Sequence, residues 1–322
     1  MPHVLIAGRI HASGLAVLKA AAGFTVEAVD AVTAEAYLPL LPRADALLIR
    51  TQPLTAFDIE NAPRLQIVSR HGVGFDAVAV PALNARKIPL AIVGDVNSRA
   101  VAEHTLMLML SAARRTVAFD QASKTGNWNE RNTFNSGELD GKRLLILGFG
   151  RIGRRVAVLA QAFGMTVAAL DPFVTADAMR SAGVAPGTSL EDELAKADVV
   201  TLHVPLDPKG AVIGATHLKL MKPSAIIINA ARGGLVDEAA LDTALRGNRL
   251  AAAALDVLVE EPPKPDHPLL TNPRVTLSPH NAGLTRECAE RMAIAAAENI
   301  IAHFEGTLNR KLVVNADAIS YR

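Results

Sequence analysis

One cysteine, Cys288, stands in a chain of 322 residues. No disulfide can therefore close within it, and the composition fits a reducing compartment. The thiol has no Cys or His at metal-ligand spacing, so it reads as a helix-face residue and no metal site is expected. A charge excess is also missing: 33 Lys and Arg face 32 Asp and Glu. That balance gives no reason to expect nucleic acid or an anionic membrane as a partner. No uncharged apolar run reaches the length of a membrane span; the best candidate, AVAEHTLMLMLSAARR, carries Glu103 and His104 in its first turns. The opening MPHVLIAGRI is broken by Gly8 and Arg9 too early for a secretory signal. Low-complexity segments and short repeats are absent as well. A cytoplasmic protein is expected.

What the chain does have is length and apolar content. Half of its residues are hydrophobic, and 322 residues exceed what one compact core usually organises. Short apolar runs alternate with helical patterns. HVLIAG, FTVEAV, ADALLIR and LQIVSR read as strands, and HASGLAVLKAAA as a helix ended by Gly23. Such alternation predicts a parallel sheet covered on both faces. At Ser98 the pattern changes to a long helix, SRAVAEHTLMLMLSAARR, with Ser98 as its N-cap. A turn-rich polar stretch follows, holding the only tryptophan, Trp128, which reads as an anchor for a loop or an interface. A second series then opens, with strands RLLIL, TVAAL, DVVTLH, AIIINA, LAAAALDV and RVTLS. Six strands with helices between them match a doubly wound nucleotide-binding sheet. After Gly283 another long helix, RECAERMAIAAAENIIAHFEG, leads to KLVVN, read as a strand returning to the first domain. The expectation is an α/β protein of two doubly wound parallel sheets. Residues 98–284 form one domain, inserted into another made of residues 1–97 and 285–322. Ligand sites favour domain interfaces.

The run LLILGFGRIGRRVAVLA holds G-x-G-x-x-G as Gly148, Gly150 and Gly153. The hexamer alone is weak, but here it follows a buried-strand pattern and opens an apolar-periodic helix, the context the motif requires. Gly148 permits the tight turn, Gly150 lets the backbone approach a pyrophosphate, and Gly153 lets the helix pack on the strand. The helix N-terminus offers N–H groups to the phosphates. Asp171 closes the next strand, about 20 residues past the loop, where a ribose-binding acid belongs. Its carboxylate would repel a 2′-phosphate, which favours NAD over NADP; the alternative is a capping residue before Pro172.

Three polar residues stand at strand ends beyond the loop: Arg232 after IIINAA, Glu261 in DVLVEEPP and His280 in LSPHNAG. Carboxyl ends of strands are where open α/β sheets bind ligands. A histidine held on a turn between Pro279 and Asn281 is either a surface accident or a proton handler. With an arginine to grip a carboxylate and a carboxylate to orient the imidazole, the second reading gains weight.

The motifs GFGRIG, NAARGGLVDEAAL, AAALDVLVEEP and SPHNAG, in this order and spacing, resemble the D-isomer-specific 2-hydroxyacid dehydrogenases. That family includes D-3-phosphoglycerate dehydrogenase and the glyoxylate and hydroxypyruvate reductases. The resemblance covers nearly the whole chain. It implies a Rossmann domain binding NAD, inserted into a flavodoxin-like substrate domain. It implies Arg232, Glu261 and His280 as the catalytic set. Arg151, Ile152, Ala230, Ala231 and Asp256 would line the dinucleotide, with Asp256 at the nicotinamide carboxamide. His203, Val204 and Pro205 would lie beside the adenine, and His280 and Gly283 also fall in the cofactor-contacting set. RHGVGFD matches the family's glycine loop, whose Val73 and Gly74 amides would hold a substrate carboxylate; the alternative is an ordinary glycine turn. Arg70 resembles the arginine of phosphoglycerate dehydrogenases and would face a distal anion, or else form a surface or interdomain ion pair. His71, beside that loop, stays open, and His104 reads as a packing or interface residue.

The expected activity is hydride transfer between NAD and a small D-2-hydroxy or 2-oxo acid, 3-phosphoglycerate-like or of the glyoxylate and hydroxypyruvate kind. Formate dehydrogenase shares the fold but pairs its histidine with glutamine, and Glu261 argues against it. A non-enzymatic NAD-sensing module is the rival from another class. Asn281 departs from the aliphatic residue of many relatives. No regulatory extension is expected beyond KLVVN. The family's dimers imply a homodimer through the LMLML helix, against a helix buried within one subunit.

Overall fold

The computed structural model describes residues 1–31, 33–206 and 210–321. The chain divides into two compact units, Met1–Asn97 with Leu284–Arg322, and Ser98–Gly283.

The first unit is a five-stranded parallel sheet of β1 (His3–Ala7), β2 (Thr25–Val29), β3 (Ala46–Ile49), β4 (Ile67–Arg70) and β5 (Leu90–Ala91), in the order β2-β1-β3-β4-β5. This is the flavodoxin-like order. Every residue of β3 and β4 is buried, as expected of strands covered on both faces. The helix Arg286–Phe304, capped by Thr285, carries the buried Cys288. It crosses the helix Ala12–Ala20 so closely that a Cβ on Gly14 would stand 2.6 Å from the Ala293 carbonyl oxygen.

The segment KLVVN, expected as a strand, is a 3₁₀ turn, Arg310–Leu312, followed by one antiparallel bridge from Val313 to Ala91. The cause is local. Asn315 Oδ1 takes the Leu90 N–H at 2.9 Å, the donor a longer ladder would need.

The second unit holds β6 (Arg143–Leu147), β7 (Thr166–Leu170), β8 (Ala185–Pro186), β9 (Val199–Leu202), β10 (Ile226–Asn229), β11 (Ala252–Leu255) and β12 (Val275–Leu277). Their order is β12-β11-β10-β9-β6-β7-β8, a doubly wound sheet with a further strand at one edge. Six strands were expected; the added one, β8, is only two residues long. The long helix runs Ser98–Arg114, with Ser98 as its first helical residue rather than its cap. Arg115, at φ 50°, breaks it, and a second helix, Thr116–Lys124, follows ahead of the turn-rich polar stretch. Trp128 is 67% exposed, at the start of the 3₁₀ turn Trp128–Thr133. Among the described residues no helix is long and apolar enough to cross a membrane.

Candidate active site

The order of β6 and β9 sets the site. From β6 the chain winds one way to β7, and from β9 the other way to β10, so the carboxyl ends of β6 and β9 flank the switch point. Gly148 follows β6 and His203 follows β9. Gly148 has φ +94°, and a Cβ there would stand 2.5 Å from the His203 carbonyl oxygen. Only glycine fits. Gly150 is the N-cap of the helix Arg151–Ala162, which no side chain caps. Among the described residues nothing comes within 4 Å of a Cβ built on Gly150. Open space before an uncapped helix N-terminus, with Arg151, Ile152 and Gly153 in its first turn, suits a pyrophosphate.

Asp171 directly follows the neighbouring strand β7. Its two carboxylate oxygens accept from the Phe149 and Phe173 amides, each at 2.8 Å. The carboxylate thus joins the glycine loop to the segment after β7, and its remaining lone pairs can accept from ribose hydroxyls. It borders a cavity of about 510 Å³ lined also by Leu147, Pro172, Met179, Val204 and Val212. Pro205, next to Val204, is exposed. Nε2 of His203 lies 3.1 Å from Thr201 Oγ1, and its Nδ1 is buried with no partner among the described residues. Burial pushes that imidazole down to about 3, so the ring is neutral.

Ala230, Ala231 and Arg232 follow β10. The Asn229 amide pins this turn, donating to the Arg232 carbonyl at 2.7 Å and accepting from the Ala231 amide at 3.1 Å. Arg232 Nη1 donates to the Ala231 carbonyl at 2.6 Å. After β11 comes Asp256, 1% exposed. Its carboxylate accepts from Ser278 Oγ at 2.6 Å, Asn281 N at 3.0 Å and Ala282 N at 2.9 Å. Burial opposes its ionisation, but these bonds and His104 hold its pKa below the ordinary value. Asp256 therefore staples the turn that carries His280, ending at Gly283. His104 Nε2 lies 2.9 Å from Ser278 Oγ. Because the serine proton goes to Asp256, His104 must donate there.

On that turn His280 adopts φ 51°, rare for a non-glycine residue. Its amide donates to the Asp256 carbonyl at 2.8 Å. Its Nδ1 donates to Glu261 Oε2 at 2.6 Å, and Glu261 Oε1 accepts from the Leu258 amide at 3.0 Å. The Glu261 hydrogen bond raises the His280 pKa against burial; the charges of Glu261 and Asp256 add to the rise, and Arg232 opposes it. Burial works against ionisation of Glu261, but the His280 and Leu258 bonds carry its pKa below the ordinary value. The second unit thus brings together Arg232, Asp256, Glu261 and His280 from the segments after three successive strands.

In the first unit, Arg70 is 8% exposed. Its Nε donates to the Gly74 carbonyl at 2.7 Å and its Nη1 to the Ile49 carbonyl at 3.4 Å. The guanidinium braces the Gly72–Gly74 loop, on which Val73 and Gly74 are half-buried. Asn229, Ser278, Glu238 and the stapling role of His104 escaped the sequence reading. Asn229 bonds within its own turn and was signalled only by the motif that holds it, whereas the partners of Ser278, Glu238 and His104 are distant in the chain.

A glycine loop at a parallel-sheet switch point, with an ordered His–Glu pair at the same sheet edge, defines a dinucleotide-dependent class of α/β protein. Residues 106–282 match the NAD binding domain of the D-isomer specific 2-hydroxyacid dehydrogenases. The chain is 38% identical over 315 residues to D-3-phosphoglycerate dehydrogenase of Methanocaldococcus jannaschii, covering 97% of this chain and 59% of that one. It is 40% identical over 310 residues to glyoxylate reductase of Aeropyrum pernix, covering 93% and 92%. Among solved structures, D-lactate dehydrogenase from Aquifex aeolicus, complexed with NAD and lactic acid, superposes with a TM-score of 0.85 at 26% identity, covering 97% and 98%. The chain belongs to the D-isomer specific 2-hydroxyacid dehydrogenase family and carries its NAD-binding domain. It spans little more than half the length of the phosphoglycerate dehydrogenases it matches.

Proposed function

We propose that this chain is an NAD-dependent dehydrogenase interconverting a small D-2-hydroxy acid and its 2-oxo form. The observation that carries the proposal is the 2.6 Å bond from His280 Nδ1 to Glu261, beside Arg232 and on the sheet edge that bears the glycine loop. The bond to Glu261 fixes the tautomer, leaving Nε2 as the working atom. Bound NADH supplies the hydride for the substrate carbon. His280 donates a proton from Nε2 to the carbonyl oxygen in reduction and receives it in oxidation. Arg232 grips the carboxylate and polarises the carbonyl. The first unit is the substrate domain, and the Val73 and Gly74 amides, on the loop that Arg70 sets, serve substrate binding.

Asp171, Gly148, Gly150, Gly153, Arg151 and Ile152 hold the adenosine and pyrophosphate. His203, Val204 and Pro205 would lie beside the adenine. Ala230, Ala231, Asp256 and Gly283 serve the nicotinamide end. A homodimer is part of the reading, supported by an apolar groove of about 440 Å³ lined by Leu106, Met107, Leu110, Leu159 and Phe163. The free thiol of Cys288 fits the cytoplasm. The deciding experiment is NADH oxidation with glyoxylate, hydroxypyruvate and phosphohydroxypyruvate. Turnover of one or more supports the enzyme and ranks its substrates. Tight NADH binding without turnover would favour a sensor.

A further inference from the structure

The loop that carries Glu261 is held by a second carboxylate. Glu238 occupies the first turn of the helix Glu238–Arg246. Its Oε1 accepts from the Val259 amide at 2.7 Å, and its Oε2 lies 3.1 Å from Nε2 of His267. Val259 and His267 stand at the outgoing and returning shoulders of the loop between β11 and the 3₁₀ turn Pro268–Thr271. One residue before Val259, the Leu258 amide is the one that Glu261 Oε1 accepts. Two successive amides are thus each captured by a carboxylate, one at the reacting site and one behind it. The same peptide meets the Arg232 turn: a Cβ on Gly233 would stand 2.0 Å from the Leu258 carbonyl oxygen and 2.6 Å from the Val259 nitrogen.

Packing alone does not fix the reacting pair, since the side chains of His280 and Glu261 are 45% and 36% exposed. The anchoring pair is better enclosed, at 21% for His267 and 14% for Glu238. A charge-assisted bond to a backbone amide holds a peptide plane in one orientation. The Leu258 N–H belongs to the preceding peptide, joined to this one at the Leu258 Cα, so a displaced Leu258–Val259 peptide would shift the bond that helps keep Glu261 ionised, and the reach of Glu261 to His280 would change.

We propose that Glu238 is a positioning residue: by holding the Leu258–Val259 peptide, it sets Glu261 against His280 and seats the Arg232 turn. The leading charges acting on the His280 ring are Glu261, Asp256 and Arg232. Glu238 acts on it through the loop. The inference rests on His280 and Glu261 being the acid–base pair.

The test is an NMR titration of the His280 imidazole in the full chain, run on the parent, Glu238→Ala and Glu238→Gln, with kcat and KM measured alongside. In Glu238→Ala the His280 pKa should fall by ~0.5–1 unit as its hydrogen bond to Glu261 loosens. Turnover should drop ~10–100-fold through misplacement, while KM for NADH stays within about 2-fold. Glu238→Gln, whose amide oxygen still accepts from Val259, should titrate like the parent. An unmoved His280 titration in folded Glu238→Ala overturns the proposal, as does a Gln variant that behaves like the Ala variant. Should Glu238→Ala not fold, Glu238→Asp, too short to span to Val259, takes its place with the same expected fall. A parent that turns over no 2-oxo acid would sink the dehydrogenase reading, yet the titration would still decide the positioning role.

Discussion

Nδ1 of His280 lies 2.6 Å from Oε2 of Glu261, and the contact raises the His280 pKa. Reduction needs the protonated ring and oxidation the neutral one. Glu261→Gln keeps a hydrogen-bond acceptor but removes the charge, so the His280 pKa should fall. Reductase activity should then fade at a lower pH than in the parent, and oxidation should extend to lower pH. His280→Ala should lose about 10²–10⁴-fold in turnover with NADH binding nearly unchanged. Profiles of kcat/KM against pH in both directions provide the check. Unmoved limbs in Glu261→Gln would show that Glu261 does not tune the ring.

Asp171 should discriminate between the two nicotinamide cofactors. A 2′-phosphate beside its carboxylate meets like charge and loses ribose hydrogen bonds, each worth roughly 1.5–3 kcal/mol to a charged group. The parent should prefer NADH to NADPH by ~10–100-fold in kcat/KM. In Asp171→Asn, which keeps an acceptor for the Phe149 amide, the gap should narrow. Equal values in the parent would remove Asp171 from this role.

The sequence made legible what depends on periodicity and backbone constraint. Runs such as ALLI and RLLIL are apolar because both sheet faces are covered, and their alternation with helices gave both sheets. Gly148 was legible because its turn and its approach to His203 admit nothing larger. Elements decided by single residues were not. Arg115 breaks the long helix by entering the left-handed region, which no composition rule marks. The edge strand Ala185–Pro186 is too short for any pattern. Asn315 ends the returning ladder with its side chain. In the site, Arg232, Glu261 and His280 announced themselves through motifs. Glu238, Ser278 and His104 act on partners twenty to well over a hundred residues away, which only the fold reveals.

Arg70 should act on every substrate alike. Its guanidinium is engaged by the Gly74 and Ile49 carbonyls, so Arg70→Ala loosens the loop whose amides are proposed to hold the carboxylate common to all 2-oxo acids. The expected result is a similar fall in kcat/KM for phosphohydroxypyruvate and glyoxylate. A loss confined to the phosphorylated acid would instead assign Arg70 to a distal anion.

Assembly should run through the apolar groove beside the helix Ser98–Arg114, where Met107 is 45% and Phe163 45% exposed. Light scattering at micromolar concentration should give the mass of two chains. Met107→Glu places a charge in the groove and should shift the mass toward one chain without unfolding the unit. A monomeric parent would refute the dimer.

The final prediction concerns acid stability and rests on His71. This residue is 7% exposed, and among the described residues neither ring nitrogen has a hydrogen bond of ordinary geometry. Burial first, and then the Arg50 cation, push its pKa from 6.5 down to about 4, against a smaller upward pull from the Ala289 backbone. Above the unfolded value the ring is neutral in both states and contributes no pH dependence. Between the two values the unfolded chain holds a proton that the folded chain lacks, so stability falls as pH drops from about 6.5 toward about 4. At about 1.4 kcal/mol per pKa unit, the full loss is on the order of 3 kcal/mol. His203, with a pKa near 3, titrates through the same window, so the parent should take up more than one proton on unfolding there. His71→Gln keeps a polar side chain and removes the titration. Its urea-unfolding free energy, measured from pH 4.5 to 7.5, should decline less steeply on acidification, with proton uptake lower by about one. A slope identical to the parent's would mean that His71 is protonated as readily in the folded protein as in the unfolded chain.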